Sequence, residues 1–419
     1  MKNGLEVTIV GGGMITNDLI LPSVYHLKRL GIVESINVCA LNTPPLKSLK
    51  SNRELSEGFP GLGFTPFPAI EESVDRSFPE LYREVIASMK PRQAVFVALP
   101  DPLHYAAVMT ALQANQHVVC VKPLVLKYSQ AEEIRKLAYQ RGLFVGIEYH
   151  KRFDRRSLIA RRQYAMGQFG EFRIGEAKLI EPYFYRYSNF QNWFTMDKTD
   201  PFTYIGCHYV DLVYFITGLK PVKVLVTGVT GRFPNGNEGY LWSHGRVHFE
   251  NAAVLSVING LGYPDEGAGG NEQCMTLFCE GGGKGSLIKH NDQFRGVTHS
   301  YIQPLGPGGS HFNFVNPDFY RLVPWEGSGF KPVGYGYDSV ASLLGTIHRI
   351  EEACSSLDVP QALECRRGLL REIDDRGIIA TPANSYINEL VVEAARSSIT
   401  REGRIVQIVY EPEPHIEEK

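Results

Sequence analysis

Along the first 150 positions, short continuous apolar runs alternate with longer stretches of helical spacing. Val7 to Val10 is one such run, and Gly11-Gly12-Gly13 turns it into a helix through Leu19-Ile20-Leu21 to Leu30, closed near Gly31. Ile36 to Leu41 predicts a second strand and Ala94 to Leu99 another, ended by Pro100-Asp101-Pro102. His104 to Ala114 has helical periodicity, and His117 to Val121 is a strand pattern. Ser129 to Arg141 predicts a helix starting from a serine cap, and Leu143 to Ile147 the next strand. Strands buried on both faces and joined by crossover helices form a doubly wound parallel sheet, with ligands at the carboxyl ends of its strands.

Past residue 170 the pattern changes. Phe172 to Ile180, Val222 to Gly228, His244 to Phe249, Ala253 to Asn259 and Arg404 to Val409 predict strands. Glycine-rich stretches at 260–270, 281–285 and 306–309 predict loops. Residues 203 to 217 predict a helix with Ile205, Tyr209, Leu212, Val213 and Ile216 on one face. Tyr204, His208 and Asp211 fall at i, i+4 and i+7 on another. The tail from Glu411 is expected to be exposed and frayed.

A chain of 419 residues exceeds the size of one hydrophobic core, so two domains are expected, over 1–150 and 151–419. With 43% hydrophobic and 21% charged residues, it has the composition of a soluble globular protein. A formal net charge of -2 and the lack of a long basic run argue against nucleic acid as a partner. The densest basic stretch, Lys151 to Arg156, is expected to be a solvated loop. Seven cysteines with no C-x-x-C pair support neither a disulfide scaffold nor structural zinc. No run approaches the roughly 18 apolar residues that span a bilayer. The N-terminal apolar run is too short for a secretory signal, so a cytoplasmic setting and no membrane partner are expected.

The first turn carries the first chemical signal. Gly11 permits a sharp turn, and Gly13 has no side chain to hold a pyrophosphate off the backbone. The helix beyond, starting near Met14 and Ile15, points its unsatisfied N–H groups at the phosphates. Position directly after the first strand favours a dinucleotide, although Thr16 stands at the third position of G-x-G-x-x-G. Where the second strand ends, Ala40 replaces the aspartate that binds the ribose diol in NAD sites. Asn42 can bond those hydroxyls instead, which favours NAD. Lys47, Lys50 and Arg53 follow and offer a 2′-phosphate of NADP its cations.

The order of segments resembles the glucose-fructose oxidoreductase, inositol dehydrogenase and rhizopine catabolism (Gfo/Idh/MocA) family. The resemblance rests on Gly11-x-Gly13, Val95-Phe-Val-Ala-Leu-Pro100-x-x-x-His104, Lys122-Pro123, Arg152-Phe153 and Gly206-Cys-His208-Tyr-Val-Asp211. Two positions depart from it: Val121 stands for the glutamate before Lys-Pro, and Tyr204 for the aspartate four residues before the helix histidine. It implies a Rossmann domain with Pro100, His104 and Lys122 near the cofactor. It also implies a C-terminal α/β domain with a large, mostly antiparallel open sheet that binds substrate and pairs subunits into a homo-oligomer.

Oxidising a secondary alcohol needs a hydride acceptor and a base for the hydroxyl proton. Lys122, at a strand end beside the nicotinamide in this family, suits the developing alkoxide, a lysine partly desolvated near that cationic ring being less basic. His208 is the candidate base. Asp211 is expected either to fix its tautomer or to make a separate helix contact, and Tyr204 to lend a phenol where the family has a carboxylate. Glu148 and His150 end the last Rossmann strand and are expected to project into the cleft that strand ends line. Between Glu181 and Phe194, seven of fourteen residues are aromatic, among them Tyr185 and Trp193. With Arg186, Asn189, Gln191 and Asn192 they suit a sugar's C–H faces and hydroxyls. His290, Asp292, Arg295 and His299 form a later polar cluster, and no metal is expected. The expected function is nicotinamide-dependent oxidation of a sugar, sugar derivative or glycoside. The rivals are a redox-neutral glycosidase working through a transient keto-sugar and a non-catalytic nucleotide-sensing regulator.

Overall fold

The structure, a computed structural model, describes residues 4–267, 271–291, 302–304, 310–312 and 319–418. Six strands, β1 (Leu5–Val10), β2 (Val33–Cys39), β3 (Thr65–Phe67), β4 (Ala94–Val97), β5 (His117–Val121) and β6 (Val145–Glu148), form a parallel sheet in the order β3-β2-β1-β4-β5-β6. Ile9, Val38, Phe96, Val119 and Ile147 have no exposed surface, as strands covered on both faces require. The crossovers are α1 (Leu21–Arg29), α2 (Thr43–Ser51) with α3 (Arg53–Gly58), α4 (Leu81–Ser88), α5 (His104–Gln113) and α6 (Tyr128–Arg141). Ser129 does not cap α6. The first N–H, on Tyr128, is taken by the Glu393 carboxylate at 2.9 Å, a contact from far along the chain that no local signal announces.

After α7 (Arg155–Ala165), β7 (Glu171–Pro182) opens a second sheet. Helix α8 (Cys207–Thr217) follows, then β8 (Pro221–Arg232), β9 (Glu238–Phe249), β10 (Val254–Tyr263), β11 (Glu272–Gly281) and β12 (Lys284–Asn291). Two small hairpins come next, β13 (Ile302–Pro304) with β14 (Ser310–Phe312) and β15 (Arg321–Pro324) with β16 (Phe330–Val333). The chain ends in α9 (Tyr335–Cys354), α10 (Val359–Arg376), α11 (Ile387–Thr400), β17 (Val406–Val409) and β18 (His415–Glu418). The order of the large sheet is β12-β11-β7-β10-β9-β8-β17-β18, with β7 and β10 parallel and the other neighbours antiparallel. Its inner face packs on α8 and α11 through Leu212, Val213, Leu277, Val257 and Leu390. Its outer face exposes Ile174, Phe278 and Leu287, which lie side by side in register.

The two cores are not divided at one point in the sequence. Helix α9 returns to the first, where Val340, Leu343, Leu344 and Ile347 pack with Phe96, Val119 and Phe144. A methyl group on Gly146 of β6 would lie 2.4 Å from Leu343, so that glycine is what lets α9 approach the sheet. Glu351 of α9 holds Arg366 of α10 at 2.7 Å and the buried His117 of β5 at 3.0 Å. Those partners hold its carboxyl at about 2 against the opposing effect of burial.

Other departures have local causes. Gly260 to Tyr263 continue β10 because they pair with β7, whereas 281–285 is the expected hairpin turn and 306–309 lie outside the described residues. The tail is not frayed: residues 415–418 pair with β17, and β17 with β8. Lys151 and Arg152 are not solvated but 2% and 1% exposed, each with a polar partner from the second core.

Candidate active site

The carboxyl ends of β1, β4, β5 and β6 carry the expected residues to one edge of the parallel sheet. Gly11 has φ +120°, and a methyl group there would lie 2.0 Å from the Ala98 carbonyl oxygen, so β1 can turn beside β4 only with glycine. A methyl group on Gly13 would meet nothing within 4 Å, which leaves the backbone open to an approaching group. Thr16 is built into the turn: its Oγ1 donates to the Gly11 carbonyl at 2.6 Å, fully buried, at the start of a widened helical turn over Thr16–Ile20 that leads into α1. Met14 packs against the second core and Ile15 against the first. At the end of β2, Asn42 precedes the first turn of α2, and the buried Thr43 Oγ1 has no hydrogen-bond partner among the described residues. Open space at Gly13, the turn at Gly11 and these polar groups past β2 fit a dinucleotide lying across the strand ends.

Pro100 lies three residues past β4 and precedes the short turn Asp101–Leu103 that leads into α5. His104, expected near the cofactor, is fully buried, with its ring nitrogens 2.7 Å from the Leu99 carbonyl and 2.8 Å from the Pro123 carbonyl. It ties the end of β4 to the turn after β5 and does not face the cleft. Lys122 lies just beyond β5, before a cis peptide to Pro123. Its ammonium donates to the Tyr204 carbonyl and stands 3.9 Å over the Tyr204 ring. Asp101 is the nearby acid that the sequence did not single out. Thr199 donates to it at 3.0 Å, Lys122 favours its ionised form, and burial outweighs both and raises its carboxyl.

Tyr204 sits on the widened turn Phe202–Gly206 ahead of α8, enclosed by Phe190, Trp193 and Phe194 at ring distances of 5.3, 5.5 and 5.7 Å. Burial pushes its phenol well above its ordinary range, so it stays neutral and does not replace a carboxylate base. His208, 7% exposed, opens α8 with its ring 4.6 Å from that of His150. His150 Nδ1 lies 3.0 Å from Glu148 Oε2, and its ring stacks 5.7 Å from Tyr335 at the start of α9.

Asp211 makes the separate contact. It binds Arg152 through two hydrogen bonds of 2.8 and 2.5 Å and accepts a third from Asn388 at 2.7 Å, all buried. Lys151 donates to Gln273 of β11 at 2.7 Å. In the aromatic segment, Tyr185 and Trp193 flank Phe190 in the wall around Tyr204. Arg186 Nε donates to the Leu261 carbonyl at 2.5 Å while its guanidinium lies over Tyr183. Asn189, Gln191 and Asn192 bond within the segment or to Asn235 and Asn237, so they brace a hairpin. His290 lies 3.3 Å from Asp154, and Asp292, Arg295 and His299 fall outside the described residues. Among the described residues, no group of three His, Cys, Asp or Glu could hold a metal ion, and no helix is long and apolar enough to cross a membrane.

Comparisons with known proteins bear on the family and the fold. The profile described as "Oxidoreductase family, NAD-binding Rossmann fold" (GFO_IDH_MocA) matches residues 5–149. The 1,5-anhydro-D-fructose reductase of Ensifer adhaerens is 31% identical over 293 residues, 66% of this chain and 80% of the reductase. The D-glucoside 3-dehydrogenase of Escherichia coli K12 is 28% identical over 144 residues, 33% of this chain and 39% of the relative. Six further curated relatives are likewise matched over only 23% to 48% of their own length. Scyllo-inositol dehydrogenase from Lactobacillus casei, solved with NAD(H) and scyllo-inositol, shares the fold at a TM-score of 0.58 and 15% identity. The match covers 96% of this chain and 99% of that one.

Proposed function

We propose that this chain, which belongs to the Gfo/Idh/MocA oxidoreductase family, oxidises a secondary hydroxyl of a sugar, sugar derivative or glycoside with NAD. The observation that carries the reading is convergence. The Lys122 ammonium, just beyond β5, donates to the carbonyl of Tyr204, four residues before His208 on the turn that leads into α8, and β5 ends on the same edge of the parallel sheet as the Gly11–Gly13 turn after β1. Sugar-acting relatives, the glucoside dehydrogenase and the anhydrofructose reductase, support the substrate class.

Gly13 and Asn42 would hold the nicotinamide cofactor, which when bound would supply the hydride acceptor. Lys122 binds the reacting oxygen, and its positive charge stabilises the alkoxide that forms as the proton leaves. Tyr204 holds that ammonium with its ring face and its carbonyl. His208 takes the hydroxyl proton. Tyr185 and Trp193 offer faces for the sugar's C–H surface. NAD is favoured over NADP, because Pro44 and Pro45 occupy the second and third positions of α2 and remove N–H donors that a 2′-phosphate would use. Arg53, a candidate cation, is 87% exposed and paired to Glu57. A homo-oligomer formed through the outer face of the large sheet is supported by the exposed row of Ile174, Phe278 and Leu287.

The test is a proton NMR time course of the protein with NAD and a panel of polyols, free sugars and glycosides. The reading expects a keto-sugar and reduced cofactor to accumulate together. Free sugar released from a glycoside without net cofactor reduction would instead establish redox-neutral cleavage. That second reading needs one more base, and the Glu148–His150 contact is the observation that favours it.

A further inference from the structure

His104 opens α5 with no exposed surface, and its ring lies between two backbone carbonyls, Nε2 2.7 Å from the Leu99 oxygen and Nδ1 2.8 Å from the Pro123 oxygen. A carbonyl oxygen only accepts, so both ring nitrogens must donate. A neutral imidazole has one N–H, and its other nitrogen would set a lone pair against an oxygen lone pair. Only the imidazolium satisfies both contacts. The charge has a counterpart in Asp101, 2% exposed in the turn just ahead of α5, to which Thr199 donates at 3.0 Å. The other buried carboxylate of this corner, Asp200, is taken by Arg396 at 3.0 Å and by Thr203. Burial raises the Asp101 carboxyl, and the largest effect opposing it comes from His104. A proton left on Asp101 would bare a ring nitrogen against a carbonyl, whereas the same proton on His104 finds an acceptor. The α5 dipole disfavours a cation at its first residue and favours an anion beside it, so it acts on the two halves of the pair with opposite sign.

We propose that His104 is a buried imidazolium, paired with Asp101, and that its two N–H donors fix the turn that carries Lys122. The inference rests on the reading that Lys122 binds the reacting oxygen. Pro123, whose carbonyl the ring holds, follows Lys122 directly, and Leu99 lies two residues past β4. One charged ring therefore ties the ends of β4 and β5 together where the ammonium leaves the backbone. His104 and Asp101 act through Lys122 and are positioning residues. Lys122 and Asp200 are the other charges that act on Asp101. Cys120, Cys207 and Tyr204, which also feel Asp101, and Glu389, which acts on Cys120, are neutral at pH 7 because burial raises all four.

The experiment labels the 12 histidine rings with 15N and reads long-range proton–nitrogen NMR spectra at pH 7.5, with the His104 signals assigned by their loss in His104→Gln. A solvated histidine is about nine-tenths neutral there. His104 is expected to show protons on both ring nitrogens, and a single protonated nitrogen overturns the proposal, whether or not the next variant folds. Asp101→Asn removes the counter-charge, so its His104 is expected to be neutral at pH 7.5 and charged again at pH 5.5. The turn should follow that charge. Amides of residues 122–126 are expected to exchange about tenfold faster than in the wild type at pH 7.5, as loss of one charged hydrogen bond requires, and at the wild-type rate at pH 5.5. Turnover with NAD, taken as a ratio to wild type at each pH, is expected to be about 10- to 100-fold down in kcat at pH 7.5 and restored at pH 5.5, a pattern that a merely structural defect would not give. Exchange and turnover ratios indifferent to pH would overturn the positioning role. If the wild type reduces no NAD with any substrate, the dehydrogenase reading falls, and the ring spectra and amide exchange still decide this proposal.

Discussion

Asp211 is the residue on which family pattern and geometry assign different work, and Asp211→Asn separates the two. The substitution keeps volume and removes charge. Arg152 and Asp211 side chains are 2% and 1% exposed, so each ion's loss of water is offset mainly by the other. In the native protein Glu389 shares none of this charge: burial pushes its carboxyl up to about 8, and at neutral pH it is uncharged. Leaving Arg152 unpaired therefore costs about 3 to 5 kcal/mol. Unfolding entropy of about 2.1 cal/mol/K per residue over 419 residues gives about 0.9 kcal/mol/K, so Tm falls by roughly 3 to 6 °C if the chain unfolds as one unit. Calorimetry supplies Tm, and turnover is measured well below it. Turnover per folded molecule should stay within about threefold, and pairing Arg152→Met with Asp211→Leu should recover most of the loss. A drop in kcat of about 100-fold with Tm unchanged would refute the reasoning, since Asp211 would then act in the chemistry.

Gly13→Ala should leave Tm unchanged, since its methyl group meets nothing, yet weaken NAD binding at least about tenfold by calorimetric titration. Gly11→Ala should fail to fold properly against the Ala98 carbonyl. Glu389 titrates near 8 folded against about 4.5 unfolded, so its native form holds the extra proton between those values. Stability is full below about pH 4.5 and falls as pH rises toward about 8; Glu389→Gln should be the more stable protein at pH 9, by about 5 kcal/mol, in denaturant titrations. Phe278→Glu, at the centre of the exposed row on the large sheet, should shift sedimentation toward monomer, and an unchanged sedimentation coefficient would remove that face as the subunit contact.

What the sequence disclosed follows the range of the interactions involved. β5 is found at its predicted bounds because a continuous apolar run is stopped by Lys122-Pro123, and both signals are local. The helix face of Ile205, Tyr209, Leu212 and Val213 is likewise legible and packs in the second core. Lys151 and Arg152 read as solvated in the sequence because clustered cations look exposed until their partners are known. Asp211 stands 59 residues away from Arg152, and Gln273 stands 122 from Lys151. His104 shows the same limit, since a cofactor-facing ring and one that ties Leu99 to Pro123 have identical local sequence. Tyr335 and Glu389 reach the neighbourhood of the site only through the return of the C-terminal helices, which no periodicity places beside β5 and β6. Thr16 was readable only as a missing glycine, whereas its hydroxyl closes the turn.

The most direct test of the account is transfer of the carbon-bound hydrogen itself. A substrate from the sugar panel, deuterated at the oxidised carbon, is mixed with NAD and either wild type or Lys122→Ala. Deuterium at the nicotinamide ring is then followed by NMR, and NAD affinity is measured in parallel. The account predicts deuterium in the reduced cofactor of the wild type and a loss of about 10³-fold or more in Lys122→Ala with NAD still bound. Equal transfer in both proteins, or none in the wild type with any substrate, would contradict it.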